Sequence, residues 1–205
     1  LDPIDIVNKY GIDQLRYYLI KEVSLGNDGS ISLENLKNCI NNDLANNYGN
    51  LCQRVFSFVE KNCQNKIPKP DNFSQNDKNL TNTLKNDIPE LINLMNNQNI
   101  NLYIKKVVDY SFNANKYFND SEPWSLKKSD PKRMNTILYT IIDQIKNISI
   151  LLNPILPIAS NKILDILNIE KTDINLDNIK KINSLGHDKN LKKISIFFKK
   201  IENDN

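Results

Sequence analysis

Apolar residues recur at helical spacing along most of this chain. The clearest run is DLANNYGNLCQRVFSFVEK, residues 43 to 61, where one stripe of side chains follows the i, i+4, i+7 pattern of a helix packed on a core. That stripe consists of Leu44, Tyr48, Leu51, Val55, Phe58 and Val59. The spacing predicts one long helix over residues 43 to 61, with this stripe facing the interior.

A polar strip lies beside the apolar one on the same predicted helix. At about 100° per residue, it contains Asn47, Asn50, Arg54, Ser57 and Lys61. Asn50 and Arg54 stand at i, i+4, so their side chains are neighbours on the helix surface. An amide and a guanidinium placed in this way could bind a base edge. Helical periodicity alone equally fits the solvated side of an amphipathic helix.

Capping and breaking residues predict further helices in the rest of the chain. Asp2-Pro3 and Asp130-Pro131 each place an N-cap residue before a proline in the first turn. Pro89 predicts a kink or break in a helix over residues 76 to 97. A helix over residues 99 to 120 should present Leu102, Val107, Tyr110, Ala114 and Tyr117 to one side, and residues 25 to 30 should form a polar turn. The predicted fold class is all-α, a helical bundle.

The only Trp of the chain, Trp124, follows Pro123 in a predicted turn. A single Trp is more often buried than exposed, so its burial decides between a structural and a binding role. Near the C-terminus, ISIFF at residues 194 to 198 fits a short strand or an extended clip.

The composition is sufficient for a hydrophobic core, but it does not by itself indicate a nucleic-acid-binding protein. The chain has 205 residues, 40% hydrophobic residues and a formal net charge of only +3. Only three of its 27 basic residues are arginines, namely Arg16, Arg54 and Arg133. Because Lys cannot replace Arg at bidentate or stacked sites, these positions indicate places where a planar fork matters.

Several classes of chemistry find no support in the sequence. Cys39, Cys52 and Cys63 show no CxxC spacing, and His187 is the only His, so neither a disulfide framework nor a zinc site is predicted. We also find no phosphate-binding glycine loop, no Ser/His/Asp set, no signal peptide and no transmembrane run. We expect reduced thiols, a cytoplasmic location and no membrane partner. Because the sequence starts at Leu1, directly before a helix start, we expect a segment of a longer chain.

Three separated blocks together resemble one family. These are DPIDIVNKYGIDQLRYYLIKEVSLGNDGSIS at 2 to 32, DLANNYGNLCQR at 43 to 54, and EPW at 122 to 124. In this order they resemble the C-terminal half of methionyl-tRNA synthetases, which are class I aminoacyl-tRNA synthetases. The first block is shared more loosely by class I synthetases in general, whereas the other two are more specific. The resemblance implies a helix-turn-helix stem-contact connector at 1 to 31, an anticodon-binding helical bundle at 32 to 169, and a tail at 170 to 205 that packs back on the bundle.

The resemblance also implies site residues and partners. In that family an Asn and an Arg one helical turn apart, with a Trp on a neighbouring loop, recognise the methionine anticodon CAU. Matching the motifs places these roles on Asn50, Arg54 and Trp124, with Pro123 setting the loop that presents the indole. The implied partners are methionine tRNA and the chain's own N-terminal catalytic domain. That domain would use ATP and Mg to ligate methionine to tRNA, so this segment should lack catalytic residues, metal and cofactor and should be inactive alone.

Two other interpretations remain open from the sequence. The chain could be the equivalent bundle of a cysteine, valine, isoleucine or leucine synthetase, although the NLCQR and EPW blocks argue against this. It could also be a helical scaffold that binds a protein partner, with Arg54 and Trp124 as ordinary surface and core residues.

Overall fold

A computed structural model describes residues 2–23, 31–181, 184–193 and 197–202. The turn predicted at residues 25 to 30 and residues 194 to 196 of the ISIFF segment lie outside these ranges. Within them, Phe197 and Phe198 are not in a strand, and the β-structure is an isolated antiparallel bridge between Lys66 and Asn190. The predicted all-α class is confirmed.

Helices follow one another along almost the whole described chain. Their bounds are α1 Pro3–Tyr10, α2 Ile12–Glu22, α3 Leu33–Cys39, a π-helical segment Ile40–Gly49, α4 Asn50–Asn62, α5 Gln75–Asn86, α6 Ile88–Asn96, α7 Ile100–Ser121, α8 Pro123–Ser129, α9 Pro131–Leu152, α10 Pro157–Ile166, a 3₁₀ turn Lys171–Asp173 and α11 Leu176–Lys180.

The predicted central helix is longer than its sequence pattern suggested and is not uniform. Cys39, Ile40, Gly49 and Asn50 all have right-handed helical dihedrals, so α3, the π-helical segment and α4 run on without a break. In a π-helix the bonds run from i to i+5, which places more residues in each turn than the α-helical 3.6. The assumption of 100° per residue therefore fails before Gly49.

One predicted surface position is wrong for this reason. Asn47, placed on the polar strip from the sequence, is buried, and its amide donates to Ser111 Oγ at 2.7 Å. The predicted apolar stripe is buried except at Phe58, which is partly buried. The strip from Arg54 onward does lie at the surface, because α4 itself has ordinary α-helical geometry.

The other helix boundaries follow the predicted signals closely. The carboxylate of Asp2 accepts a hydrogen bond from Ile4 N at 2.7 Å, and that of Asp130 accepts one from Arg133 N at 3.0 Å, so both caps are confirmed. The break predicted around Pro89 is confirmed, since α5 ends at Asn86 and α6 starts at Ile88. Leu102, predicted on the buried face of α7, is half exposed, so that assignment is wrong.

Helix α9 forms the axis of the bundle. Its side chains are buried on every side from Thr136 to Leu152, because α4, α5, α7, α8, α10 and α11 all pack around it. It carries a buried charge, Lys146, whose ammonium donates to Asp143 at 2.7 Å and to Ser184 Oγ at 2.5 Å. The second bond holds the segment after α11 against the axis of the bundle.

Candidate nucleic-acid interface

A shallow cavity of about 270 Å³ opens at the surface where α4, α7 and α8 meet. Its lining residues come from the polar strip of α4, the last turn of α7 and the first turn of α8. They are Arg54, Ser57, Phe58, Lys61, Asn62, Phe118 and Trp124. The floor is therefore aromatic, and the ionisable lining side chains are both cationic.

Arg54 lies over an aromatic ring at this cavity. Its guanidinium carbon is 5.1 Å from the centroid of the Phe118 ring, a cation–π distance. One terminal nitrogen donates to Asn119 Oδ1 at 2.7 Å. A guanidinium carries five N–H donors in a fixed fork. Among the described residues Arg54 makes no other hydrogen bond and no ion pair, so most of its donors are available to a ligand.

Trp124 contacts the same ring. Its indole meets Phe118 edge to face, with the centroids 5.7 Å apart and the planes at 83°, and the residue is 45% exposed. The usual preference of a single Trp for the core does not hold here, because α7 ends directly before α8 and leaves the first turn of α8 at the surface. Arg54 and Trp124 thus line one cavity and contact the same aromatic ring.

The turn predicted around Trp124 is instead the start of α8. Pro123 occupies the first helical position, where its missing N–H costs nothing and its fixed φ favours a helix. The chain reverses at Glu122, which has a positive φ of 40°. The Pro123 side chain is buried, so it can position the indole but cannot itself contact a ligand in this conformation.

Asn50 stands one helical turn before Arg54, as the i, i+4 spacing predicted. It is the first residue of α4 and is partly buried, and its side-chain amide makes no hydrogen bond within the described ranges. It does not line the cavity around Trp124. The structure thus brings Arg54 and Trp124 together, places Asn50 next to them along α4, and buries Pro123 beneath them. The part each plays in RNA binding stays a prediction.

Comparisons with known proteins give the family. The model for the anticodon binding domain of methionyl tRNA ligase matches residues 67–205, well over half of the chain.

This chain belongs to the methionyl-tRNA ligase family.

The model for class I tRNA synthetases of the methionine type matches residues 1–56, so the resemblance predicted from the sequence is confirmed. Arg54 falls in this second match and Trp124 in the anticodon-binding match. The cavity is therefore lined by residues of both matched segments and by four residues of α4 that lie between them, Ser57, Phe58, Lys61 and Asn62.

Similar proteins and structures agree with this assignment. The chain is 40% identical over 169 residues to the methionine–tRNA ligase of Brucella suis biovar 1 (strain 1330), covering 82% of this chain and 33% of that protein. It is 34% identical over 208 residues to the one from Rickettsia conorii (strain Malish 7), covering 98% of this chain and 40% of that protein. The chain thus spans about a third of the length of the curated relatives it matches.

Solved methionyl-tRNA synthetases share the fold over the whole of this chain. The apo crystal structure from Mycobacterium tuberculosis superposes with a TM-score of 0.93 at 31% identity, covering 100% of this chain and 42% of that one. A structure of the same organism's enzyme in complex with methionyl-adenylate gives a TM-score of 0.91 at 32% identity, covering 97% and 39%. The helical bundle predicted from the sequence is therefore the bundle of this family.

The aromatic floor of the cavity was not predicted from the sequence. Phe118 contacts both Arg54 and Trp124, and it also meets Phe58 edge to face with centroids 6.4 Å apart. Phe58 had been assigned to the core only, and Phe118 was not singled out. The available signal was an aromatic residue four positions before Glu122 of the EPW block.

The remaining two arginines of this family member serve the fold. Arg16 donates to the backbone oxygens of Ile155 at 3.0 Å and Pro154 at 2.9 Å, which fixes α2 to the turn after α9. Arg133 forms a bidentate pair with the fully buried carboxylate of Asp77, at 2.5 and 2.7 Å. The fork is thus used at Arg16 and Arg133, whereas Arg54 donates through one terminal nitrogen and lies over the Phe118 ring.

Other chemistry is not supported by the described residues. Within residues 2–23, 31–181, 184–193 and 197–202 no group of His, Cys, Asp and Glu side chains could hold a metal ion. Burial raises the pKa of the Cys39 thiol to about 12 and that of Cys52 further, so neither offers a thiolate. None of the helices in the described ranges combines the length and hydropathy needed to cross a bilayer.

Proposed function

We propose that this chain recognises the CAU anticodon of methionine tRNA, as the anticodon-binding portion of an enzyme that ligates methionine to that tRNA. The observation that carries the proposal is the exposed indole of Trp124 opposite a guanidinium with most of its donors unpaired. Sequence-specific RNA recognition usually targets unstacked loop bases, which stack on aromatic side chains and expose their Watson–Crick edges. The cavity offers both kinds of contact to one base.

The chemistry of Arg54 favours cytosine over uracil at the first anticodon position. Cytosine presents two adjacent acceptors, N3 and O2, to which two N–H groups of a guanidinium fork can donate together. Uracil carries a proton on N3, so an N–H group of the guanidinium would face the N3–H group of the base, and both are donors. The Asn50 amide, one turn away, has both a donor and an acceptor and can accept from the cytosine amino group. By analogy with DNA readout, a good bidentate contact gives about 1–3 kcal/mol of discrimination.

Local charge supports RNA binding despite the small net charge. Arg54 and Lys61 line the cavity, and Lys127 and Lys128 lie in the last turn of α8. None of the lining residues is acidic. Phosphates flanking a base in the cavity would meet the cations Arg54 and Lys61, which adds a sequence-independent and salt-sensitive term to the affinity.

The catalytic steps belong to a part of the protein that this chain does not contain. Among the described residues no group of His, Cys, Asp and Glu side chains could hold a metal ion. The similar proteins are about two and a half times as long as this chain, and one solved relative is described as a complex with methionyl-adenylate. We therefore assign ATP, Mg and methionine to a catalytic domain that is the chain's covalent partner. We place the protein in the cytoplasm, where it would meet tRNA.

RNA hairpins that differ at one loop position test this function. We expect a hairpin with a CAU loop to change the fluorescence of the single Trp and to shift the protein in a mobility assay. Hairpins with UAU or GAU loops should do so at concentrations roughly 10-fold higher or more. The control is a CAU sequence in a fully paired duplex, which presents no unstacked base and should not quench.

Two outcomes would count against the proposal. Equal affinity for all three loops would leave only charge-driven binding, and no binding to any would leave the scaffold interpretation. Arg54→Ala should weaken CAU binding and remove the preference at the first base, while helicity measured by circular dichroism stays unchanged. Loss of helicity in that variant would instead assign Arg54 a structural role.

A further inference from the structure

Residues 197–202, which we call the clip segment, lie along the π-helical segment and the first two turns of α4. Phe198 is buried, and the centroid of its ring is 6.2 Å from that of Tyr48 in the π-helical segment. Phe197 meets Phe56 of α4 edge to face, with the centroids 6.3 Å apart. The clip segment therefore covers the surface where the π-helical segment passes into α4.

Hydrogen bonds attach the clip segment at the other end of the π-helical segment. Asn41 lies in the first turn of that segment, and its Nδ2 donates to the backbone oxygen of Ile201 at 2.8 Å. Its Oδ1 accepts from the backbone N–H of the same residue, also at 2.8 Å. Because one side-chain amide pairs with both backbone groups of one residue, it fixes where the clip segment lies along the helix.

Gly49 is the point at which the clip segment approaches the helix backbone closely. A Cβ at this position would lie 3.1 Å from Phe198 Cδ2 and 2.9 Å from the backbone oxygen of Leu44. Both distances are shorter than ordinary van der Waals contact, so a residue without a Cβ is needed for this packing. Asn50 follows directly, and its N–H donates to the backbone oxygen of Asn47. A displacement of the Phe198 ring would therefore act first on the backbone at Asn50.

Two elements hold the π-helical segment in its register. Asn115 of α7 donates to the backbone oxygen of Asn47 at 3.2 Å, and the clip segment supplies the contacts described above. π-Helical turns are rare, and they occur frequently at functional sites. Because the apolar face of α4 is fixed in the core, relaxation of the π-helical segment would move Asn50, at the junction, more than Arg54, one turn further on.

We propose that the clip segment is a positioning element for anticodon recognition, in which Phe198 and Asn41 hold the Asn50 amide where the first anticodon base can reach it. The inference rests on the proposed function. The Asn50 side chain has no hydrogen-bond partner among the described residues, so the backbone beneath it determines where the amide lies. Arg54 keeps its place independently of the clip segment, because its side chain is held by contacts with α7.

Amide hydrogen exchange measured by NMR tests the positioning without RNA. In Phe198→Ala we expect the N–H of Asn50 to exchange at least about 10-fold faster relative to the amides of residues 55 to 59, which lie in the core part of α4. Asn41→Ala removes both hydrogen bonds to the clip segment without opening the core, and it should act in the same direction. Phe198→Leu refills much of the space and should restore slow exchange at Asn50.

The matched control for the exchange experiment is Lys200→Ala, because this side chain is exposed within the same segment. It should leave the exchange of Asn50 unchanged. An equal rise along the whole of α4 in Phe198→Ala would show a general loss of stability and would overturn the proposal. Unchanged exchange at Asn50 in both Phe198→Ala and Asn41→Ala would overturn it as well.

A double-mutant cycle with the CAU and UAU hairpins tests the part in recognition. Asn50→Ala should lower the preference for CAU about 5-fold, the effect of one lost hydrogen bond. In a chain that carries Phe198→Ala, the same change should lower it by less than about 2-fold, because the amide is already displaced. Arg54→Lys should lower the preference by the same factor in both backgrounds.

The outcomes of this cycle separate two kinds of failure. Equal effects of Asn50→Ala with and without Phe198→Ala would overturn the positioning role, since coupled residues do not give additive changes. A lack of CAU preference in the unchanged chain would refute the proposed function, and with it the part of the clip segment in recognition. The exchange rates distinguish that result from a failure of the clip segment to hold Asn50.

Discussion

Arg54 and Arg133 show how the same side chain serves binding in one region and folding in another. Arg133 has its fork closed on a buried carboxylate: it donates to both oxygens of Asp77 and also reaches Ser74 Oγ at 3.3 Å. Arg54 lies over the Phe118 ring and donates one hydrogen bond, to the exposed amide oxygen of Asn119. A guanidinium whose donors are satisfied holds elements together. One whose donors are available beside an exposed indole can recognise a ligand.

The electrostatics of the Arg133 region support this distinction. Burial alone would raise the pKa of Asp77, but hydrogen bonds from Arg133 and Tyr117 outweigh it and hold the pKa below its usual range. Burial, and then the hydrogen bond to Asp77, raise the pKa of Tyr117 well above its usual range. Asp77 also completes a capping box with Ser74 at the start of α5. This cluster is a closed structural network that joins α5, α7 and α9.

The largest expected effect is on stability and separates the two arginines. Arg133→Met leaves the buried Asp77 charge without its partner and should lower the free energy of unfolding by about 3 kcal/mol. Arg54→Met removes a cation–π contact at the surface and should cost less than about 1 kcal/mol. Urea denaturation of both variants measures the two changes in the free energy of unfolding. Losses of similar size would show that the two environments do not differ as described.

The next effect is on RNA affinity and concerns Trp124. Trp124→Ala removes a stacking surface and should weaken binding of the CAU hairpin by about 1–3 kcal/mol. Phe112→Ala is the matched control, because Phe112 is an aromatic residue of nearly equal exposure, 48% against 45%, that does not line the cavity. Its affinity in a fluorescence-anisotropy titration should be unchanged. The comparison fails if both alanine variants bind equally well.

A smaller effect distinguishes the fork of Arg54 from its charge. Arg54→Lys keeps the positive charge but cannot donate to two adjacent acceptors in one plane. We expect the affinity for the UAU hairpin to stay nearly unchanged because the charge is kept. The affinity for the CAU hairpin, and with it the preference for CAU over UAU, should fall by about 1.5 kcal/mol, the strength of a hydrogen bond to a charged group. Parallel titrations with the two hairpins measure it. A retained preference would show that charge alone suffices.

The smallest expected effect is on stability at acidic pH, and it tests the structural role of the Asp77–Arg133 pair. Because the folded-state pKa of Asp77 is depressed, this carboxylate contributes stability that is fully present above its unfolded pKa of about 4. That contribution is lost as the pH falls through the lower, folded-state pKa. Asp77→Asn should be less stable at neutral pH and lose less stability in this acid range. The free energies of unfolding of both chains can be measured by urea denaturation at several pH values. If they fell by the same amount between neutral pH and this acid range, the assignment would be contradicted.

Much of the fold follows from local signals in the sequence. Asp2 and Asp130 begin helices because a carboxylate before a proline satisfies free N–H groups, and Pro89 cannot continue one. The burial of Asn47 could not be predicted in this way, because the π-helical segment changes the angular spacing before Gly49 and turns this amide inward. The pattern of hydrophobic and polar residues did not predict this π-helical segment.

The candidate site was predicted less completely than the fold. The i, i+4 relation of Asn50 and Arg54 is a local property of α4 and was visible in the sequence. The exposure of Trp124 and its contact with Phe118 depend on how α7 and α8 meet, which is a tertiary relation.

Whether the first anticodon base stacks on Trp124 can be measured directly. A CAU hairpin carrying the fluorescent base pyrrolocytosine at the first position keeps the hydrogen-bonding edge of cytosine and reports stacking by quenching. We predict quenching on addition of the unchanged chain or Phe112→Ala, and almost none with Trp124→Ala at concentrations that saturate the RNA. Equal quenching with Trp124→Ala, or an unquenched base in a saturated complex, would contradict recognition of that base at this cavity.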